Sequence, residues 1–350
     1  MNPITVAGVA SALLAGTAAF VLVRPVLAGR MAWPALAAWL ASAVLVIGIG
    51  SLLGVASPAF LIGVAAFALP ILVLLEAAAV AAGADGFARL LVMVGWGVVV
   101  FPVTALVPIA MIRGCLAPDC GFEDFGAALP LVVSSSAYVL LARVPAGVRE
   151  RAQLDRPSNR RAVVAGAVLW VAAAVWLAHL EGAVDEYVPR ILLAAAVVPA
   201  AGALGWLGVD ILRDTRRSTG RSLMLGWVMG MAAALPGAVS VGLPWSPVVG
   251  LLAGGLASLV FSLPGVARGG YASRFAVALL VASAVGFVGP PVSGDTVGMI
   301  FAARASVLVA PLSAFAGVLV FAVVVSIPIW LVVRRHASRE RIPAELLADA

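Results

Sequence analysis

The chain has 350 residues, of which 63% are hydrophobic and 11% charged, and a mean hydropathy of +1.15, which leaves too little polar surface to solvate a globule of this length. Its net charge of +6 comes from 22 basic residues, every one an arginine, against 16 acidic ones. The arginines are dispersed between apolar runs, a pattern that suits a lipid bilayer with anionic headgroups and argues against a nucleic-acid partner.

A helical crossing needs about 20 mostly apolar residues. Eleven such runs follow one another, at residues 6–23, 33–53, 59–80, 90–111, 125–142, 162–178, 191–209, 222–241, 247–263, 275–288 and 298–333. The expected fold class is an all-α integral membrane protein with eleven transmembrane helices, in which residues 1–333 form the transmembrane domain and residues 334–350 a cytoplasmic C-terminal tail. No basic stretch precedes the apolar run in residues 1–23, so the first span is expected to be retained and not cleaved as a signal peptide. The last run is too long for one upright crossing at about 1.5 Å per residue and is expected to tilt or project.

Short loops keep their basic residues preferentially on the cytoplasmic side. Nineteen of the 22 arginines fall in segments that alternate with those holding only Arg113, Arg190 and Arg304. An odd number of spans, with the N-terminus outside and the C-terminus in the cytoplasm, satisfies the pattern in a multi-pass protein of the plasma membrane. The outer loops on this assignment include the acidic "HLEGAVDEYVP" and "RGCLAPDCGFED", so Cys115 and Cys120 face an oxidising compartment. Their spacing permits a disulfide without requiring it, and a bridge and two free thiols both stay open. With no histidine nearby to complete a metal site, neither metal nor cofactor is expected.

Several motifs have a recognisable order. "DFGAALPLVVSSSA" spans Asp124 to Ala137, "LGWLGVDILRD" Leu204 to Asp214, "GWVMGMAAALPGA" Gly226 to Ala238 and "PWSPVVGLLAGG" Pro244 to Gly255; "FALP" at Phe67 to Pro70 is a weaker element. In this order they resemble spans 5, 7, 8, 9 and 3 of the ammonium transporter (Amt/Rh) family. The resemblance covers nearly the whole chain and is strongest from Asp124 to Leu259. It implies the ammonium-transporter fold, in which two inverted five-helix repeats enclose a pore in each subunit of a homotrimer. "GWVMG" and "GLLAGG" offer small-residue faces for such trimer contacts.

By the resemblance, Asp124 organises the outer end of the pore helix. Elementary physics gives it a cap, since an Asp before a helix accepts from unpaired backbone N–H groups at the positive end of the dipole. The family pairs a span-5 histidine, eight residues after this aspartate, with another in span 10. Here that position is Val132, and the chain's two histidines are His179 at the outer end of span 6 and His336 in the tail. An imidazole pair can relay protons and hydrogen-bond a small solute; valine does neither and favours dewetting. Trp176 and Phe67 occupy the places of the family's two gate residues, with interfacial anchoring the alternative for Trp176. Leu180 replaces a serine of the outer recruitment site, and Pro108-Ile109 its aromatic residue.

Three further groups bear on a solute path. Glu76 is the deepest ionisable residue, about two helical turns from the cytoplasmic loop, where it either pairs with an arginine or faces an inner vestibule. Ser134, Ser135 and Ser136 lie mid-span, serving close helix packing or, for Ser136 above all, a substrate path. Catalysis needs clustered acids, bases or metal ligands, and none is clustered here, so an enzyme is not expected. A channel or transporter for ammonium, ammonia or another small solute, with a degenerate pore, is the expected function. The alternative is a non-conducting homologue acting as sensor or assembly partner.

Overall fold

The computed structural model describes residues 3–27, 33–114, 123–142, 159–215, 219–267, 270–294 and 305–339. Apolar side chains that face lipid need no partner, but backbone N–H and C=O groups in lipid do, and helices satisfy them within the segment. Accordingly the described chain is helical, with a single isolated bridge between Val241 and Gly294. The helices in order are α1 (Pro3–Leu27), α2 (Trp33–Leu52), α3 (Pro58–Ala81), α4 (Gly86–Val94), α5 (Phe101–Gly114), α6 (Ser134–Val139), α7 (Asn159–Glu181), α8 (Tyr187–Leu212), α9 (Thr219–Gly237), α10 (Ser246–Phe261), a short α11 (Pro264–Ala267), α12 (Tyr271–Ser293) and α13 (Val309–Arg339). A π-helical segment, Gly95–Val100, joins α4 to α5, and another, Leu129–Val133, leads into α6.

Each expected run overlaps a helix among the described residues. Among the described residues eight helices are long and apolar enough to cross a membrane, and Leu129–Val139 and Ser246–Phe261 are shorter apolar helices. Boundaries moved where capping decided them. Pro58 opens α3 behind Ser57, whose hydroxyl accepts from the Phe60 N–H, and Asp85 caps α4 by accepting from the Ala88 N–H at 2.7 Å. The last helix runs past residue 333 through Arg339, so the first residues assigned to the tail continue the helix, and the Arg334 guanidinium donates to the Leu141 carbonyl at 3.0 Å.

The small-residue motifs have a packing role within the subunit. A Cβ on Gly254 would lie 1.9 Å from the Gly202 carbonyl oxygen, one on Gly226 would lie 2.4 Å from the same atom, and one on Gly230 would lie 2.6 Å from Pro199 Cα. "GWVMG" and "GLLAGG" therefore seat α9 and α10 against α8 within one subunit. Backbones this close leave no room for a side chain at these glycines, which are covered within the subunit.

Helix α6 and the π-helical segment before it form the most enclosed strand of chain. Every residue from Gly126 to Val139 is buried. Indole and phenol groups converge on it. Trp96 donates to Ser134 Oγ at 3.1 Å, the Tyr138 hydroxyl donates to the Val92 carbonyl at 3.1 Å, and Trp330 donates to the Tyr138 carbonyl at 2.7 Å. These bonds tie α4 and α13 around the segment that carries Val132 and Ser136.

Candidate functional site

At the entrance to this central segment the two carboxylate oxygens of Asp124 accept from the Ala128 N–H at 2.6 Å and the Leu129 N–H at 2.9 Å. This is the capping role expected from its position. The backbone on either side is pinned to the end of α9, since Phe125 and Gly126 donate to the Pro236 and Leu235 carbonyls at 3.1 and 2.8 Å. A Cβ on Gly126 would sit 2.7 Å from the Leu235 oxygen, so glycine is required there. Next to Asp124, the Ser240 hydroxyl donates to Glu123. Burial pushes the Asp124 carboxyl up to about 7 against its two backbone donors, with the neighbouring Glu123 adding to the rise. It likewise pushes Glu123 up to about 7, opposed by Ser240 and the charge of Arg190.

Phe67 and Trp176, on α3 and α7, are brought together. Their rings stack with centroids 4.4 Å apart and planes inclined by 22°. Trp176 is fully buried and its indole N–H donates to the Gly63 carbonyl at 3.0 Å. An interfacial anchor keeps its polar end at the headgroups, so the anchoring alternative for Trp176 is set aside by this burial. Leu180 closes against the same region, its side chain 3.3 Å from where a Gly63 Cβ would be.

Val132 lies within the π-helical segment, 9% exposed, and Ser136 one turn further on is 3% exposed. A π turn bonds i to i+5, so it inserts a residue and rotates everything beyond it relative to an α-helical count. Ser134 and Ser135 turn their hydroxyls back to the Pro130 and Leu131 carbonyls. Ser136 Oγ is buried without a hydrogen-bond partner among the described residues.

Glu76 pairs with Arg89. The guanidinium donates at 2.8 Å, and the Ala35 N–H donates to the other carboxylate oxygen at 3.1 Å. Arg89 does not sit in a loop as its place in the charge pattern implied. The Asp85 cap starts α4 early enough to place Arg89 in the first turn, where it is 8% exposed.

Two buried ionisable residues had no role assigned from the sequence. Asp210 accepts from Trp206 Nε1 at 3.0 Å, Ser222 Oγ at 2.6 Å and Ser258 Oγ at 3.1 Å, joining α8, α9 and α10; the signal was an acid inside an apolar helix four residues after a tryptophan. His179, set aside as a terminal residue, is 3% exposed. Cys115 and Cys120 lie outside the described residues. Among those described, no group of three or more His, Cys, Asp or Glu side chains could hold a metal ion.

Neither a family model nor a curated protein matches the chain. Solved structures do. Mep2 of Saccharomyces cerevisiae aligns with a TM-score of 0.68 at 16% identity over 93% of this chain and 85% of that one. A Mep2 mutant from Candida albicans gives 0.75 at 17% identity over 98% and 86%. Rh50 of Nitrosomonas europaea, from the Rhesus protein family of channels, gives 0.71 at 15% identity over 95% and 88%. With both a Mep2 and a Rhesus protein superposing over nearly its whole length, this chain has the fold of the ammonium transporter (Amt/Rh) family.

Proposed function

We propose that the protein is a membrane channel or transporter that passes ammonia, or another small neutral solute, through a pore lacking the paired imidazoles of the family whose fold it shares. The observation that carries this reading is the stack of half-buried Phe67 on fully buried Trp176, an aromatic plug set between two long apolar helices. Asp124 positions the central helix and draws cations toward the outer mouth, while Val132 and Ser136 line the lumen beyond the plug. An apolar lumen cannot compensate the hydration of a unit charge, and valine offers no lone pair to take a proton, so the permeating species is uncharged. The protein resides in the plasma membrane as a homotrimer, N-terminus outside and C-terminus in the cytoplasm. Its trimer contacts use faces other than the glycines that seat α9 and α10 on α8.

Purified protein reconstituted in liposomes tests the reading. Alkalinisation of an internal pH dye on addition of an ammonium salt should accelerate with protein density, and no steady current should accompany it. Equal dye kinetics in protein-containing and empty liposomes would favour a non-conducting homologue. Native mass spectrometry returning only monomer would refute the trimer. Cysteine labelling should find residues 149–161 and the segment after Arg334 both on the cytoplasmic side.

A further inference from the structure

Between the start of α8, the segment that follows α9 and the start of α10, the surface sinks into a cavity of about 400 Å³. Pro189, Leu193, Val241, Leu243 and Pro244 give it apolar walls, and Arg190 is the charged residue that lines it. The Ser246 hydroxyl on the same wall turns back to the Gly242 carbonyl at 3.4 Å, so the cation is the chemical feature of the site. A guanidinium presents its N–H donors as a planar fork that matches phosphate oxygens two at a time. Placed among aliphatic side chains at the edge of a bilayer, it suits an anion that carries its own hydrocarbon.

Two aromatic residues mark the depth of the cavity. Tyr187 lies three residues before Arg190 on α8, and Trp245 directly precedes α10. Both are exposed, as tyrosine and tryptophan are at headgroup level. Away from this level an exposed apolar stripe continues along α10 through Val248, Leu252, Leu256 and Leu259, about one helical turn apart. A soluble anion would match Arg190 and leave the walls and the stripe unused. A purely apolar molecule would leave the guanidinium facing hydrocarbon. A phospholipid satisfies both ends, and the bilayer supplies its phosphate at this depth.

We infer that the cavity binds one phospholipid per subunit, its phosphate on the Arg190 guanidinium and an acyl chain laid along the exposed stripe of α10. On the proposed orientation the lipid belongs to the outer leaflet; its binding does not require that the protein conduct. The site also reaches the central segment. Arg190 Nη2 lies 3.5 Å from the Ser240 carbonyl oxygen, and the Ser240 hydroxyl donates to Glu123, the neighbour of the Asp124 cap. A bound lipid therefore steadies the loop that holds the entrance of the segment carrying Val132, and stabilises the folded state by mass action.

Native mass spectrometry of the full-length protein, stripped of lipid in detergent and titrated with dioleoyl phosphatidylglycerol, tests the inference. Adducts should saturate at one per subunit and raise the thermal midpoint. Dioleoylglycerol, which has the chains without the phosphate, should form several-fold fewer adducts, and glycerol phosphate, which has the phosphate without the chains, should not compete. Arg190→Gln should weaken the phosphatidylglycerol adduct several-fold, and Arg190→Lys should keep much of it. Leu193→Glu, at an exposed position, should weaken it as well and decides the matter if Arg190→Gln does not fold. Equal adducts with dioleoylglycerol, or unchanged adducts in the folded Arg190→Gln or Leu193→Glu protein, would overturn the inference. Competition by glycerol phosphate would make this a site for a free anion and overturn the lipid. A change of oligomer mass in Arg190→Gln with lipid adducts unchanged would make this face a contact between copies of the chain, again overturning it.

Discussion

Glu76 and Arg89 meet at 2.8 Å in a place where the carboxylate side chain has no exposure and the guanidinium side chain only 9%. The Ala35 N–H donates to the second oxygen, so the pair locks α2, α3 and α4 together at one end of the bundle. Removing one member strands the other as a buried charge. Arg89→Ala should therefore destabilise the protein by about 3–5 kcal/mol, whereas the double change Glu76→Leu with Arg89→Leu should recover most of that loss. Thermal unfolding of the parent and the two variants in one detergent checks it; equal midpoints for the single and double variants would show that the pair is not coupled.

The same carboxylate is the one deeply buried acid in α3, and a proton carrier would have to be of that kind. Liposomes that carry the protein should nevertheless give no saturable ammonium current, and Glu76→Gln, although it strands Arg89 and costs stability, should leave ammonia entry per folded molecule unchanged. Measurement on a solid-supported membrane decides the first point. A current that disappears in Glu76→Gln would make Glu76 a substitute for the missing imidazoles.

Trp176 and Phe67 close the proposed path by stacking, which gives a prediction of opposite sign to simple packing loss. Trp176→Ala should lower the thermal midpoint, because a large buried ring is removed at a cost of about 3–5 kcal/mol. Protein-dependent ammonia entry per folded molecule should nonetheless rise several-fold. A stack that serves packing alone would instead lose flux in proportion to folded protein.

Glu123 and Asp124 predict a pH dependence. Both carboxyls are raised by burial from the ordinary range to about 7 in the folded protein, so the folded state holds protons that the unfolded state has released. The associated stability is fully present below the unfolded values, near pH 4, and is lost as pH rises through about 7. Thermal midpoints should accordingly fall between pH 5 and pH 8, and Glu123→Gln should flatten that slope. A midpoint that rises over this interval would contradict the burial of the pair.

Gly254 and Gly202 show how little room α8 and α10 leave each other. Gly254→Val would force a side chain onto the Gly202 carbonyl, whose oxygen is 1.9 Å from the Cβ position. Overpacking of this kind costs typically about 1–3 kcal/mol, and with backbone as the obstacle the upper end or more is expected. Because this contact lies within the subunit, the midpoint should drop without a change in oligomer mass by native mass spectrometry.

What the sequence determined by itself was the solvent of the protein and the place of its helices. Apolar runs of the length of a bilayer have no other stable arrangement than helices, and arginine placement carried an expected orientation. Single residues with local jobs were legible too. Asp124 caps the helix that follows it because a cap needs only the next turn, and the order of "DFGAALPLVVSSSA", "GWVMG" and "PWSPVVGLLAGG" pointed to the fold that the superpositions show.

Only the tertiary structure decided what those residues touch. The glycine motifs read equally well as surfaces between subunits, and became internal because α8 brings Gly202 to the same place as Gly226 and Gly254. Arg89 counted as a loop charge until the Asp85 cap started α4 and faced it to Glu76. Val132 was located by counting eight residues from Asp124, while the π turn that sets which way it faces is announced by no residue type. His179, placed by the sequence at the outer end of span 6, is buried because α1 and α3 both present glycine to its ring. Contacts between helices far apart in the chain depend on which side chains are missing as much as on those present, and a periodic apolar pattern records neither.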